Sequence, residues 1–113
     1  MFGLGDKGKQ AKSHARKDRP EKLAKLLSDK DPAVRIKVCG ALSEVESDSS
    51  SNALIFALKD NDPTVRSAAA KALSAVGKSN ATEHIRHIIP GEKDADALAA
   101  MKEAMSSIQA RLR

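Results

Sequence analysis

Apolar residues recur along this chain with helical spacing from Pro20 onward. Leu23, Leu26 and Leu27 share one face of a first helix, and Val34, Val38, Ala41, Leu42 and Val45 share one face of a second. Steps of three and four residues place side chains on a single stripe of an α-helix. Leu54, Ile55 and Leu58 begin the pattern again, followed by Val65, Ala69, Ala72, Leu73 and Val76. A third round carries Ile85, Ile88 and Ile89, then Leu98, Met101, Met105, Ile108 and Leu112, which step by 3, 4, 3 and 4. The pattern predicts six helices in three hairpins, with second members at about 32–46, 63–77 and 94–112.

Polar positions punctuate these stripes. Pro20 suits a first helical position, where its missing N–H costs nothing. Ser28-Asp29-Lys30-Asp31 reads as a turn, after which the Asp31 carboxylate can accept from orphan N–H groups and Pro32 opens the helix. The stretch ESDSSSN (46–52) falls where KSNATE (78–83) falls one unit later, which predicts an inter-repeat turn with capping serines. Asn80 and Glu83 have the spacing of a capping box, and Pro90-Gly91 stops that helix. Lys102, Glu103, Ser106 and Gln109 give the last helix the polar outer face that an open-ended stack requires at its end. Arg111 and Arg113 suit its negative terminus.

The phrase DPAVRI follows Lys30, and DPTVRS follows Asn61, at an offset of 31 residues. Setting Leu23–Val45 against Leu54–Val76 pairs 23 positions without a gap, of which eleven are identical. Self-similarity at such a period marks stacked repeats. Asp31, Pro32, Val34 and Arg35 thereby partner Asp62, Pro63, Val65 and Arg66. The third unit loses the phrase, with GEKDADAL in place of KDNDPTVR.

The stretches LLSDKDPAVRIKVCGALSEV (26–45) and ALKDNDPTVRSAAAKALSAVG (57–77) carry a resemblance that extends over about residues 20–112. The chain resembles HEAT-like repeat proteins of the short kind shared with phycobilisome-lyase-type repeats. Gly77 matches the family's small residue after the second helix, and Glu46 departs from it. The resemblance implies an all-α fold: a right-handed α-α superhelix, or solenoid, with repeats at about 19–47, 48–78 and 79–113. It implies that Asp31 and Asp62 cap helices and help tie one repeat to the next, with Arg35 and Arg66 in the same ladder of bonds. It also implies that the second helices line a concave surface, where helical phase would expose Ile36, Lys37, Gly40, Ser67, Lys71 and Lys102. The function expected of such a surface is non-catalytic binding of a protein or peptide. A chromophore-handling role is also implied, but a chain with only Phe2 and Phe56 as aromatics is poorly equipped to grip a planar pigment.

Composition adds one asymmetry. Residues 1–27 hold eight Lys/Arg against three acids, 8 − 3 = +5, whereas residues 28–113 balance at 12 − 12 = 0. Residues 1–18 read as a flexible basic arm outside the repeat domain at 19–113. Lys7, Lys9, Lys12, Arg16, Lys17 and Arg19 are candidate phosphate contacts, so an accessory nucleic-acid binder or a contact with anionic lipid is the alternative to a solubilising tail. The missing aromatics argue against single-strand recognition. A lone Cys39 excludes an internal disulfide, no apolar run reaches the roughly 18 residues of a membrane span, and the start lacks signal-peptide order. A cytoplasmic protein is the expectation.

Other motifs weaken on inspection. Gly3, Gly5 and Gly8 match a dinucleotide-loop spacing, and with Lys9 most of a phosphate loop, but no strand precedes them and Gln10 replaces the metal-binding hydroxyl. His84 and His87 share a helix face without a third ligand. Cys39 aligns with Ala70, a packing position. Asn80-Ala81-Thr82 matches a glycosylation acceptor, which needs a secretory route that the sequence does not signal. No catalytic residue, cofactor or metal is expected. Three repeats are close to the minimum for a stable stack, so a partner or a second copy could cover an apolar end.

Overall fold

The computed structural model describes residues 20–113; the arm expected at 1–18, its candidate phosphate contacts and the glycine motif lie outside the described residues. The described chain forms six α-helices and no strand: α1 (Pro20–Lys25), α2 (Pro32–Leu42), α3 (Asp48–Ala57), α4 (Pro63–Val76), α5 (Ser79–Ile88) and α6 (Ala95–Arg111). Tight 3₁₀ turns extend α1 through Leu26–Ser28 and α5 through Ile89–Gly91.

Each second helix starts on an aspartate. The carboxylates of Asp31 and Asp62 accept from the amides of Ala33 and Thr64 at 2.9 and 2.8 Å, and a proline follows each. The third repeat keeps the device without the phrase, because Asp94 accepts from the Ala97 amide at 2.9 Å. These side chains satisfy N–H groups that the first helical turn leaves without partners.

Three boundaries differ from the expectation. Ser47, whose hydroxyl accepts from the Ser50 amide at 3.1 Å, starts α3 early. Most of the presumed 46–52 turn is therefore helix, and Ser50 and Ser51 are buried within it without hydroxyl partners. The α2 helix ends at Leu42, beyond which i→i+3 bonds from Glu44 and Val45 tighten the chain, so Val45 still reaches the core. The capping box at Asn80 does not form: α5 begins at Ser79 after Lys78, with no side-chain cap, and Glu83 pairs with exposed Arg86 instead.

Helices α2, α4 and α6 form one layer, and α1, α3 and α5 the other. Helix α4 is central, packed against α2, α3 and α6. Ala69 and Ala70 are fully buried there, and their short side chains let the neighbouring helices come close. Leu23, Leu42, Leu54, Leu73, Ile85, Met101 and Ile108 fill the space between the layers with no exposed surface. The described residues form a solenoid measuring 41 × 29 × 16 Å. Among the described residues, no helix is long and apolar enough to cross a membrane.

Candidate partner-binding surface

The turns between paired helices are joined by a ladder. Arg35 donates from Nε and Nη2 to the two oxygens of Asp60 at 2.9 and 3.1 Å, and from Nη1 to the Asp29 carbonyl at 2.7 Å. Arg66 repeats this in the next unit, donating to the two oxygens of Glu92 at 2.7 and 2.9 Å and to the Asp60 carbonyl at 2.8 Å. Each arginine therefore clasps its own turn and the turn that follows. Both ion pairs are largely shielded: the side chains are 11% and 13% exposed for Arg35 and Asp60, and 20% and 4% for Arg66 and Glu92.

The bridging acids differ from the capping ones. Asp31 and Asp62 cap their own helices, whereas Asp60 and Glu92 carry the bond between repeats. Asp29, Asp60 and Glu92 also each accept the amide two residues on, at 2.9, 2.9 and 3.0 Å, which fixes the shape of the turn. The signal was an acid-x-Asp triplet, DKD (29–31), DND (60–62) and EKD (92–94), hidden in the third unit by the Asp-to-Glu exchange. The hydrogen bonds from Arg66, with the Asp94 amide, hold the Glu92 carboxyl below its ordinary value and raise the Arg66 guanidinium. The hydroxyl and amide of Thr64 lower Asp62 in the same way.

This ladder sets the pitch of the inner layer, where an open groove of about 600 Å3 runs beside α4 and α6. Ile36, Ser67 and Lys71 line it, with Ala68, Ala99 and Ala100 among the small residues around them. Lys37, Gly40 and Lys102 are exposed but stand outside the lining. Lys102 marks a shift in register. A turn one residue longer makes the third offset 94 − 62 = 32, so the counterpart of Lys71 is Glu103, not Lys102. Glu103, Asp96 and Asp94 give the α6 side of the groove an acidic rim.

Two further hollows lie along the turn edge, over the ladder. One, of about 610 Å3, includes Arg35, Asp60 and Phe56, which is 68% exposed; the other, of about 500 Å3, includes Arg66, Glu92 and His87. Exposed His84 and His87 gather no further ligand: among the described residues, no group of three or more His, Cys, Asp or Glu could hold a metal. Cys39 is fully buried, and burial, with the Asp60 charge, pushes its thiol up to about 12. It stays protonated and is no nucleophile at neutral pH.

A family model of HEAT repeats matches residues 20–106, across all three hairpins. The chain belongs to the HEAT repeat family. A search of curated proteins finds none that matches it. In this HEAT stack the Asp-Pro-x-Val-Arg phrase has a physical explanation. Asp starts the helix, Pro sets its first turn, Val65 and Val34 are buried at 0% and 2% exposure, and Arg reaches back to the turns. The ladder stops at the third repeat, where half-buried Leu98 stands in the arginine position. Arg111 secures the far end instead, donating to the carbonyls of Ser74 and Gly77 at the end of α4.

Proposed function

We propose that this HEAT repeat protein is a non-catalytic scaffold that takes a protein or peptide segment along the groove of its inner layer. The observation that carries the reading is the groove itself: an open channel beside α4 and α6 with a floor of Ser67, Ala68, Ala99 and Ala100. Small side chains let a bound backbone approach closely, and a partner that gains many modest contacts needs no reacting group. The ladder of Arg35 and Arg66 supports this role by holding the repeats at a fixed spacing, so the groove is formed before binding. The acidic rim disfavours nucleic acid in the groove, which leaves phosphate binding to residues 7–19 as the second reading.

A phage-displayed peptide library selected against the full chain tests the proposal. Enriched peptides should shift the amide resonances of Ser67, Ala99 and Glu103. Peptides that shift only resonances on α3 and α5, or no enrichment at all, would reject the groove as the working surface.

A further inference from the structure

The hollow at Phe56 and the hollow at His87 are the same place in successive repeats. Leu27, Arg35 and Phe56 line the first; Leu58, Arg66 and His87, each 31 residues on, line the second. The two adjoin, since both include Lys59 and Asp60, and neither shares a residue with the groove. Phe56 is the one Phe, Tyr or Trp among the described residues, and the fold leaves its ring 68% exposed. An aromatic ring held out from the core beside nearly buried Leu27 is an anchor for a partner's apolar side chain.

Charge decides what else that partner carries. The acids of this edge are spent inside the fold: Asp60 and Glu92 on the arginines, Asp29 on the Asp31 amide. Asp31 and Asp62, just outside the hollows, cap their helices. The same bonds occupy both guanidinium groups. Lys30, Lys59 and Lys93 are exposed and take part in no salt bridge among the described residues. The first hollow holds Lys30, Arg35 and Lys59 against Asp29 and Asp60, 3 − 2 = +1. The second holds Lys59, Arg66 and Lys93 against Asp60 and Glu92, again 3 − 2 = +1.

We propose that this edge is a docking surface distinct from the groove, and that it takes an acidic segment of a partner protein carrying an apolar side chain. The apolar side chain lies against Phe56 and Leu27, carboxylates beside it meet Lys30 and Lys59, and Lys93 takes another one repeat further on. Packed helices lie about 8–10 Å apart, a step that an extended segment covers in about three residues. The groove, with Lys71 against Asp94, Asp96 and Glu103, 1 − 3 = −2, disfavours the same segment. The two surfaces thereby sort partners by charge.

A magnetic-resonance titration of the full ¹⁵N-labelled chain tests this with two peptides. One has a single Leu inside a run of Asp and Glu; the other has Lys in place of every acid. The acidic peptide should shift the amides of Lys30, Phe56 and Asn61. Its affinity should fall at least about tenfold in Phe56→Ser, which removes an anchor that the fold does not bury. Lys59→Glu should weaken it about fivefold and flatten its salt dependence. Lys102→Glu, an equal charge change on exposed α6, should leave it within about twofold. All three variants should keep their helical circular dichroism. Affinity that survives Phe56→Ser would overturn the proposal and give the peptide to the basic residues 7–19. Equal binding of the Lys peptide, or shifts confined to the groove, would overturn it as well. So would duplex DNA that shifts the same amides at lower concentration than the acidic peptide, which would assign the edge to phosphate.

Discussion

Arg66 and Glu92 form a two-pronged ion pair at 2.7 and 2.9 Å that reproduces the pair of Arg35 with Asp60. The acid is one methylene longer and the turn before the cap one residue longer, and the guanidinium meets the same two oxygens. Paired, planar contacts of this kind are stronger than ordinary surface pairs, and both ends are largely withdrawn from water.

Arg66→Ala should therefore lower the unfolding free energy by about 2 kcal/mol, since it leaves the Glu92 carboxylate and the Asp60 carbonyl without a strong donor. Urea denaturation followed by circular dichroism measures it. Lys78→Ala, which removes an exposed pair with Asp48, should change stability by less than about 0.5 kcal/mol. Equal losses from both would mean that the ladder does not hold the stack.

Stability should fall in acid. Glu92 and Asp62 titrate below their ordinary values of 4.5 and 3.8 because their charged forms accept hydrogen bonds in the fold. A carboxyl with a lowered folded value binds its proton more readily when unfolded. Its contribution is present above the unfolded value and fades as pH falls through the folded one. Thermal midpoints should hold from neutral down to about pH 5 and decline below it. Glu92→Gln should flatten that decline.

Two glycines should respond oppositely to alanine. A Cβ at Gly77 would lie 2.7 Å from the Leu73 carbonyl and 2.8 Å from Ile108 Cδ1, so Gly77→Ala should cost about 1–3 kcal/mol by overpacking. Gly40 sits within α2 with open space around its Cα. Gly40→Ala should add about 0.5–1 kcal/mol through helix propensity. Thermal melts of both variants read the two signs directly.

Cys39 should resist thiol reagents in the native state, since its thiol is held at about 12. Labelling with a chromogenic disulfide reagent at pH 8 should be at least a hundredfold slower than in denaturant. Fast native labelling would mean that the interface between α2 and its neighbours opens readily.

The hairpins were legible in the sequence because their causes are local. Periodic Val, Leu and Ala define the buried stripe, and Asp before Pro starts a helix wherever it stands. The matched phrase located Arg35 and Arg66, and the fold shows which groups they hold. What stayed hidden was pairing across about 26 residues: Asp60 and Glu92 are ordinary turn acids until stacking brings an arginine from the preceding repeat against them. The capping box at Asn80 failed for a related reason. Its spacing fitted a local rule, but the N-cap of α5 is Lys78, two residues before Asn80.

The sequence by itself determined the helix type and the 31-residue offset of the first two repeats, because both follow from side chains within one unit, whereas Glu103, expected on the polar outer face of the last helix, lines the groove instead. Tertiary structure alone decided the register of the third repeat, and with it the groove's lining. One extra residue between Ile89 and Glu92 rotates every later position by about 100° around the helix axis. That rotation puts Glu103 in the groove where a constant period would have put Lys102. The sign of the groove's charge depends on that single residue, and only the packing of α6 against α4 makes it visible.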